Sequence, residues 1–261
     1  MQLPIDWRGR EIHIEYQWIG ETDADTPVMV FLHEGLGSVA LWKTFPDQLC
    51  RQLKMRGMVY SRPGYGRSTP RDKDERWDTD FMHRQAFEVL PALLSQLNID
   101  QPWLFGHSDG GSISLLYASR YSERCAGLIV VAPHIMVEEI SITSIHIARD
   151  AYLHQGLRER LARYHDDVDS AFFGWNDIWL SPAFRDWSIE ADLESIRCPV
   201  LAVQGENDEY GTMEQMYCIQ RMLPDAVVLP VTHCGHSPHR DQPQLLTEAV
   251  AQFVTAHRAT C

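Results

Sequence analysis

Short apolar runs rich in Val, Ile and Leu recur along the chain, with longer amphipathic stretches between them. Runs of this length fit strands covered on both faces better than helices. PVMVFLH (27–33), MVYSRPGYG (58–66), PWLFGHS (102–108), GLIVVAP (127–133), PVLAVQG (199–205) and AVVLPV (226–231) read as such strands. The opening LPIDWRGREIHIEYQWIG differs, because two extended runs flank Arg8-Gly9-Arg10, the pattern of an antiparallel hairpin. Helical spacing fills the gaps: Phe45, Leu49 and Leu53 make one stripe, and Phe87, Leu90, Leu94 and Leu97 another. The alternation predicts an α/β protein, with a mostly parallel eight-stranded sheet flanked by helices on both faces.

One stretch breaks the alternation. Residues 136–192 carry no strand-like run and are too long for a simple connection. Leu153, Leu157, Leu161 and Tyr164 mark a helical face that Gly156 interrupts, and AFFGWNDIWLSPAFRDW is unusually aromatic. This predicts a helical insertion after the sixth strand, splitting the core into 1–135 and 193–261. The insertion is expected over the strand ends, as a lid. The alternative is a helical pair packed far from any site.

Composition narrows the partners. The 261 residues carry a net charge of −13, which disfavours nucleic-acid phosphates and anionic membranes as partners. No apolar run approaches the ~20 residues needed to cross a bilayer, and the first residues lack the basic-then-apolar pattern of a signal peptide. The six cysteines (50, 125, 198, 218, 234 and 261) show no CxxC spacing and are expected to be reduced thiols in a cytoplasmic protein. Cys234 is expected to be a small packing residue.

The chemistry concentrates after the run PWLF. There Gly106-His107-Ser108-Asp109-Gly110-Gly111 precedes the helical segment SISLLYASR, which is G-x-S-x-G in a strand–turn–helix setting. A serine on such a turn is held clear of the sheet, with helix N–H groups facing developing negative charge. Ser108 is the expected nucleophile. It needs a base, and among twelve histidines His236 stands out, in THCGHSPHRDQP after the last strand. His233, at the strand end, and His239, nearer a helix start in a capping or surface position, are its competitors. The carboxylate that orients the base is expected from PVLAVQGENDEYG, where Asp208 is preferred over Glu206 and Glu209. The oxyanion donors are expected to be the backbone N–H of Asp109 and that of Leu36 in His33-Glu34-Gly35-Leu36-Gly37-Ser38, with Gly35 second.

Taken together, the HEGLGS turn, SRPGYGRS, GHSDGG, GENDEYG and CGHSPHRDQP resemble the α/β-hydrolase family over essentially the whole chain. The resemblance implies the α/β-hydrolase fold and hydrolysis of a small molecule without metal or organic cofactor. It does not fix the reaction, since the family includes carboxylesterases, lactonases, thioesterases and carbon–carbon bond hydrolases. Epoxide hydrolases and dehalogenases use an aspartate nucleophile, so Ser108 argues against both. The expected activity is cleavage of a small carboxylic ester or lactone through an acyl-enzyme. The alternatives are carbon–carbon cleavage of vinylogous diketones with the same triad, and a small-molecule receptor that keeps the triad. A homodimer is left open.

Glu34 departs from the family pattern, which commonly places glycine after this histidine. It is expected either to turn to solvent and pair with Arg62 or Arg67, or to face the pocket beside Asp109 and contact a polar or cationic part of the substrate. His134, Trp175, Trp179 and Tyr210 are further candidate substrate contacts.

Overall fold

The computed structural model describes residues 1–258 apart from 22, 24 and 73, so Cys261 lies outside the described residues. The strands are β1 (Gln2–Trp7), β2 (Arg10–Gly20), β3 (Val28–Leu32), β4 (Arg56–Tyr60), β5 (Trp103–His107), β6 (Gly127–Val131), β7 (Val200–Gly205) and β8 (Val227–Val231). They form one sheet in the order β1-β2-β4-β3-β5-β6-β7-β8, antiparallel at β1–β2 and β2–β4 and parallel elsewhere. The hairpin turns at Arg8 and Gly9, both at positive φ (58° and 77°), which matches the twist of paired strands.

The helices are α1 (Phe45–Leu53), α2 (Phe81–Arg84), α3 (Leu90–Gln96), α4 (Asp109–Tyr121), α5 (Glu139–His154) and α6 (Leu157–Leu161). After these come α7 (Val168–Trp179), α8 (Glu190–Leu193), α9 (Glu214–Met222), α10 (Pro238–Asp241) and α11 (Pro243–Arg258). Alternation along the strands builds two cores. Met29, Phe31, Phe105 and Val203 pack with Leu49 of α1 and Val250 of α11 on one face. Val30, Leu32, Leu104 and Val130 pack on the other with α3, α4 and residues of α7.

Two helical stripes differ from expectation. A single π-type turn over Gln85–Val89 joins α2 to α3 and rotates the register. The fully buried residues are therefore Ala86, Val89, Leu90, Leu93 and Leu94, whereas Phe87 and Leu97 are only partly buried. In the insertion, Gly156 adopts φ 71° and ends α5, so Leu153 and Leu161 do not share a face. Leu153 is exposed and Leu161 buried.

The strand order also locates a crevice. From β3 the chain moves to β4 on one side and returns to β5 on the other. The loops leaving β3 and β5 therefore diverge at their carboxyl ends, where ligands bind in open α/β sheets. Between β6 and β7 the chain is helical, and no helix among the described residues is long and apolar enough to cross a membrane.

Candidate active site

β5 ends at His107 and α4 begins at Asp109, so the turn between them is Ser108 alone. Its backbone sits at φ 54°, ψ −122°. A non-glycine residue pays about 1–3 kcal/mol for such a conformation. Three hydrogen bonds hold it there. Ser108 N–H donates to the Val131 carbonyl (2.9 Å), and the N–H groups of Gly111 and Ser112 donate to the Ser108 carbonyl (2.8 and 3.1 Å). A Cβ on Gly106 would lie 2.2 Å from the Gly110 carbonyl oxygen, so this close crossing requires glycine.

The loop after β8 brings His236 to the same edge. Its Nδ1 lies 2.9 Å from each carboxylate oxygen of Asp208, which follows β7 and is 7% exposed. The carboxylate thus fixes Nδ1 as the protonated ring nitrogen and leaves Nε2 free to accept a proton. Burial pushes the Asp208 pKa up. The His236 hydrogen bond and charge, with the Tyr210 N–H, outweigh it and hold the carboxyl below its ordinary range. Of the competing histidines, His233 is exposed. His239 is not at a surface position: it is buried against Trp42 and Phe45, and burial brings its pKa down to about 2.

A cavity of about 100 Å³ joins these parts, lined by Ser108, His236, Glu34, Gly35, Leu36, Asp109, His134, Ile145, Trp175, Trp179 and Tyr210. All five candidate contacts are among them. Ser108 and His236 share its wall without a hydrogen bond between hydroxyl and ring among the described residues. The backbone N–H groups of Gly35, Leu36 and Asp109 have no backbone acceptor among the described residues. Trp175 and Trp179, which line this cavity, belong to α7. A wider cleft of about 600 Å³, lined by Arg71, Arg76 and Asp177, contains none of the three triad candidates.

Two further carboxylates border the nucleophile. Asp109 is 1% exposed, accepts from Trp179 Nε1 (3.3 Å) and pairs with fully buried Arg62 (3.4 Å). Burial raises its pKa despite Arg62. Glu34 corrects the expected pairing: Arg62 donates to its backbone carbonyl (2.9 Å), while the carboxylate lies near His107 Nδ1 (3.6 Å) and Arg240 (3.7 Å). Arg67 instead donates its N–H to Glu15. Burial would raise the Glu34 pKa. The His107 ring beside it, with His33 and Arg240, holds it well below the ordinary value.

Ile145, His107, Arg240 and the structural role of Arg62 were not foreseen. Ile145 sits on the buried stripe of α5 and carries no chemical signature. His134 is 3% exposed, and burial lowers its pKa to about 3, so it lines the cavity as a neutral ring. Among the described residues no group of three or more His, Cys, Asp or Glu side chains is placed to hold a metal ion. Cys50, Cys125, Cys198, Cys218 and Cys234 are free, and Cys234 is buried.

The alpha/beta hydrolase family model matches residues 29–249, and the chain belongs to that family. It is 27% identical to the serine hydrolase BPHL of Mus musculus over 76% of this chain and 67% of that one. Among solved structures, it superposes on a carboxylesterase of the ammonia-oxidizing thaumarchaeon Nitrososphaera gargenis with a TM-score of 0.81 at 18% identity, covering 99% of this chain and 100% of that one. The enol-lactonase of Burkholderia xenovorans LB400 gives 0.74 at 19% identity, covering 94% and 97%.

Proposed function

We propose that the protein hydrolyses a small carboxylic ester or lactone through an acyl-enzyme, with Ser108 as nucleophile, His236 as general base and Asp208 as its orienting carboxylate. The observation that carries this reading is the Asp208–His236 pair at 2.9 Å, whose histidine lines the cavity that Ser108 also lines. His236 Nε2 takes the Ser108 proton as Oγ attacks the carbonyl carbon. The oxyanion forms at the N–H groups of Asp109 and Leu36, with Gly35 the second candidate for the latter. Nε2–H then protonates the leaving oxygen, and water releases the acid by the same steps in reverse. Hydroxyl and ring close to hydrogen-bond distance when substrate binds, as is common for catalytic pairs.

Cavity size and charge support a short, uncharged acyl group. About 100 Å³ is well under the ~300–1,000 Å³ of drug-sized sites. Its ionisable lining consists of Glu34, Asp109, Tyr210 and histidines, with no lysine or arginine. Cleavage of ring-fission diketones would call for a cation to hold the substrate carboxylate, so ester cleavage is the better fit. The insertion 136–192 acts as the lid. Free cysteines are in keeping with a reducing cytoplasm.

The test is a panel of p-nitrophenyl esters, lactones and a ring-cleavage dienol, run with wild type and Ser108→Ala. Sustained turnover of short neutral esters or lactones, abolished in the variant, is expected. Turnover of the dienol alone would select carbon–carbon cleavage, and stoichiometric acylation without turnover would select a receptor.

A further inference from the structure

The residue before the nucleophile and the unexpected glutamate meet in a way the triad does not explain. Glu34 folds its carboxylate back over its own turn, so that a Cβ on Gly37 would lie 2.4 Å from Oε2. The loop thus leaves room at Gly37 for this carboxylate. Oε2 lies 3.6 Å from Nδ1 of His107, a ring 1% exposed at the end of β5. On the opposite side of that ring, Nε2 is 2.7 Å from the backbone carbonyl oxygen of His236.

The His236 carbonyl places one of the ring hydrogens. A carbonyl oxygen only accepts, so Nε2 carries a hydrogen. Nδ1 faces a carboxylate and has no nearer hydrogen-bond partner. The Glu34 carboxylate thus lies against one edge of the ring whose other edge holds the His236 carbonyl. The other groups against the ring are the His236 and His239 rings, 5.1 and 4.8 Å away, and Trp42 at 6.4 Å.

We infer that Glu34 acts through His107 to fix the backbone of His236, making Glu34 and His107 positioning residues for the general base. This rests on the proposed hydrolase reading. The chain Glu34–His107–His236 ties the loop after β3, the nucleophile strand and the base loop together. Glu209 holds the other end of the same residue, accepting from the His236 N–H at 3.2 Å. The base is therefore located by its ring through Asp208 and by its peptide groups through Glu209 and His107.

The experiment compares wild type, Glu34→Gln, His107→Gln and the double variant on p-nitrophenyl acetate, together with ¹⁵N and ¹³C spectra. In each single variant kcat is expected to fall about tenfold, the scale of one lost hydrogen bond, with KM within about twofold. The double variant should fall no further, because both act through one contact. Glu34→Gln should shift the His107 ring nitrogens and the His236 carbonyl carbon. Wild-type kcat in Glu34→Gln, additive losses, or an unchanged His236 carbonyl would overturn the inference. If His107→Gln fails to fold, Glu34→Gln alone decides it. A wild type inert toward esters would remove the hydrolase reading, and the spectra would still decide whether Glu34 controls His107 and the His236 carbonyl.

Discussion

Three carboxylates lie near Ser108, and their surroundings treat each differently. Asp208, held below the ordinary range by His236, stabilises the fold fully above an unfolded carboxylate's pKa of about 4, and that contribution is lost as pH falls through the lower folded value. The difference in urea midpoint between wild type and Asp208→Asn is therefore expected to be constant near neutrality and to shrink on acidification below about pH 4. In activity, Asp208→Asn should lower kcat about 10³–10⁴-fold, since an amide no longer selects the correct tautomer. Asp109 differs, being buried against a guanidinium that is itself fully buried. Asp109→Ala should destabilise by about 3–5 kcal/mol in urea titration, because Arg62 would be left as an unpaired buried charge. The candidates for nucleophile, base and orienting acid were legible from local motifs at strand ends. The partners of Glu34 were not, because Arg240 and His107 reach it across loops whose mutual placement no periodicity encodes.

The insertion is tied to the site by particular bonds. The Ser141 and Ser144 hydroxyls of α5 donate to the carbonyls of Tyr210 and Glu209, beside Asp208. On α7, Trp179 donates to Asp109, and Asp167 caps the helix by accepting from the Ser170 N–H at 2.9 Å. Trp175 forms part of the cavity wall. Trp175→Ala is expected to enlarge the acyl site and move the preferred chain length upward on a C2–C12 p-nitrophenyl ester series; an unchanged optimum would mean that the acyl group lies elsewhere. The strands were readable because burial on both faces leaves unbroken apolar runs. Helix register was harder: the π-type turn at Gln85–Val89 and the break at Gly156 rotate apolar faces by amounts that spacing rules do not anticipate.

Across the whole molecule, Phe172, Trp175, Trp179 and Phe184 of the insertion belong to the same apolar cluster as Val30 and Leu104 of the sheet. A shared core leaves the insertion no separate stability, so tryptophan fluorescence and far-UV circular dichroism should report one coincident unfolding transition. An earlier fluorescence step would show the insertion melting alone. On the proposed reading, strand ends far apart in sequence assemble one activated serine. Intact-mass and peptide mapping after exposure to a fluorophosphonate tests it most directly, in wild type, Ser108→Ala and His236→Ala. The expected result is a single adduct on Ser108, absent without its hydroxyl and formed at least about 10³-fold more slowly without the imidazole. An adduct at another residue, or equal labelling rates with and without His236, would contradict the account.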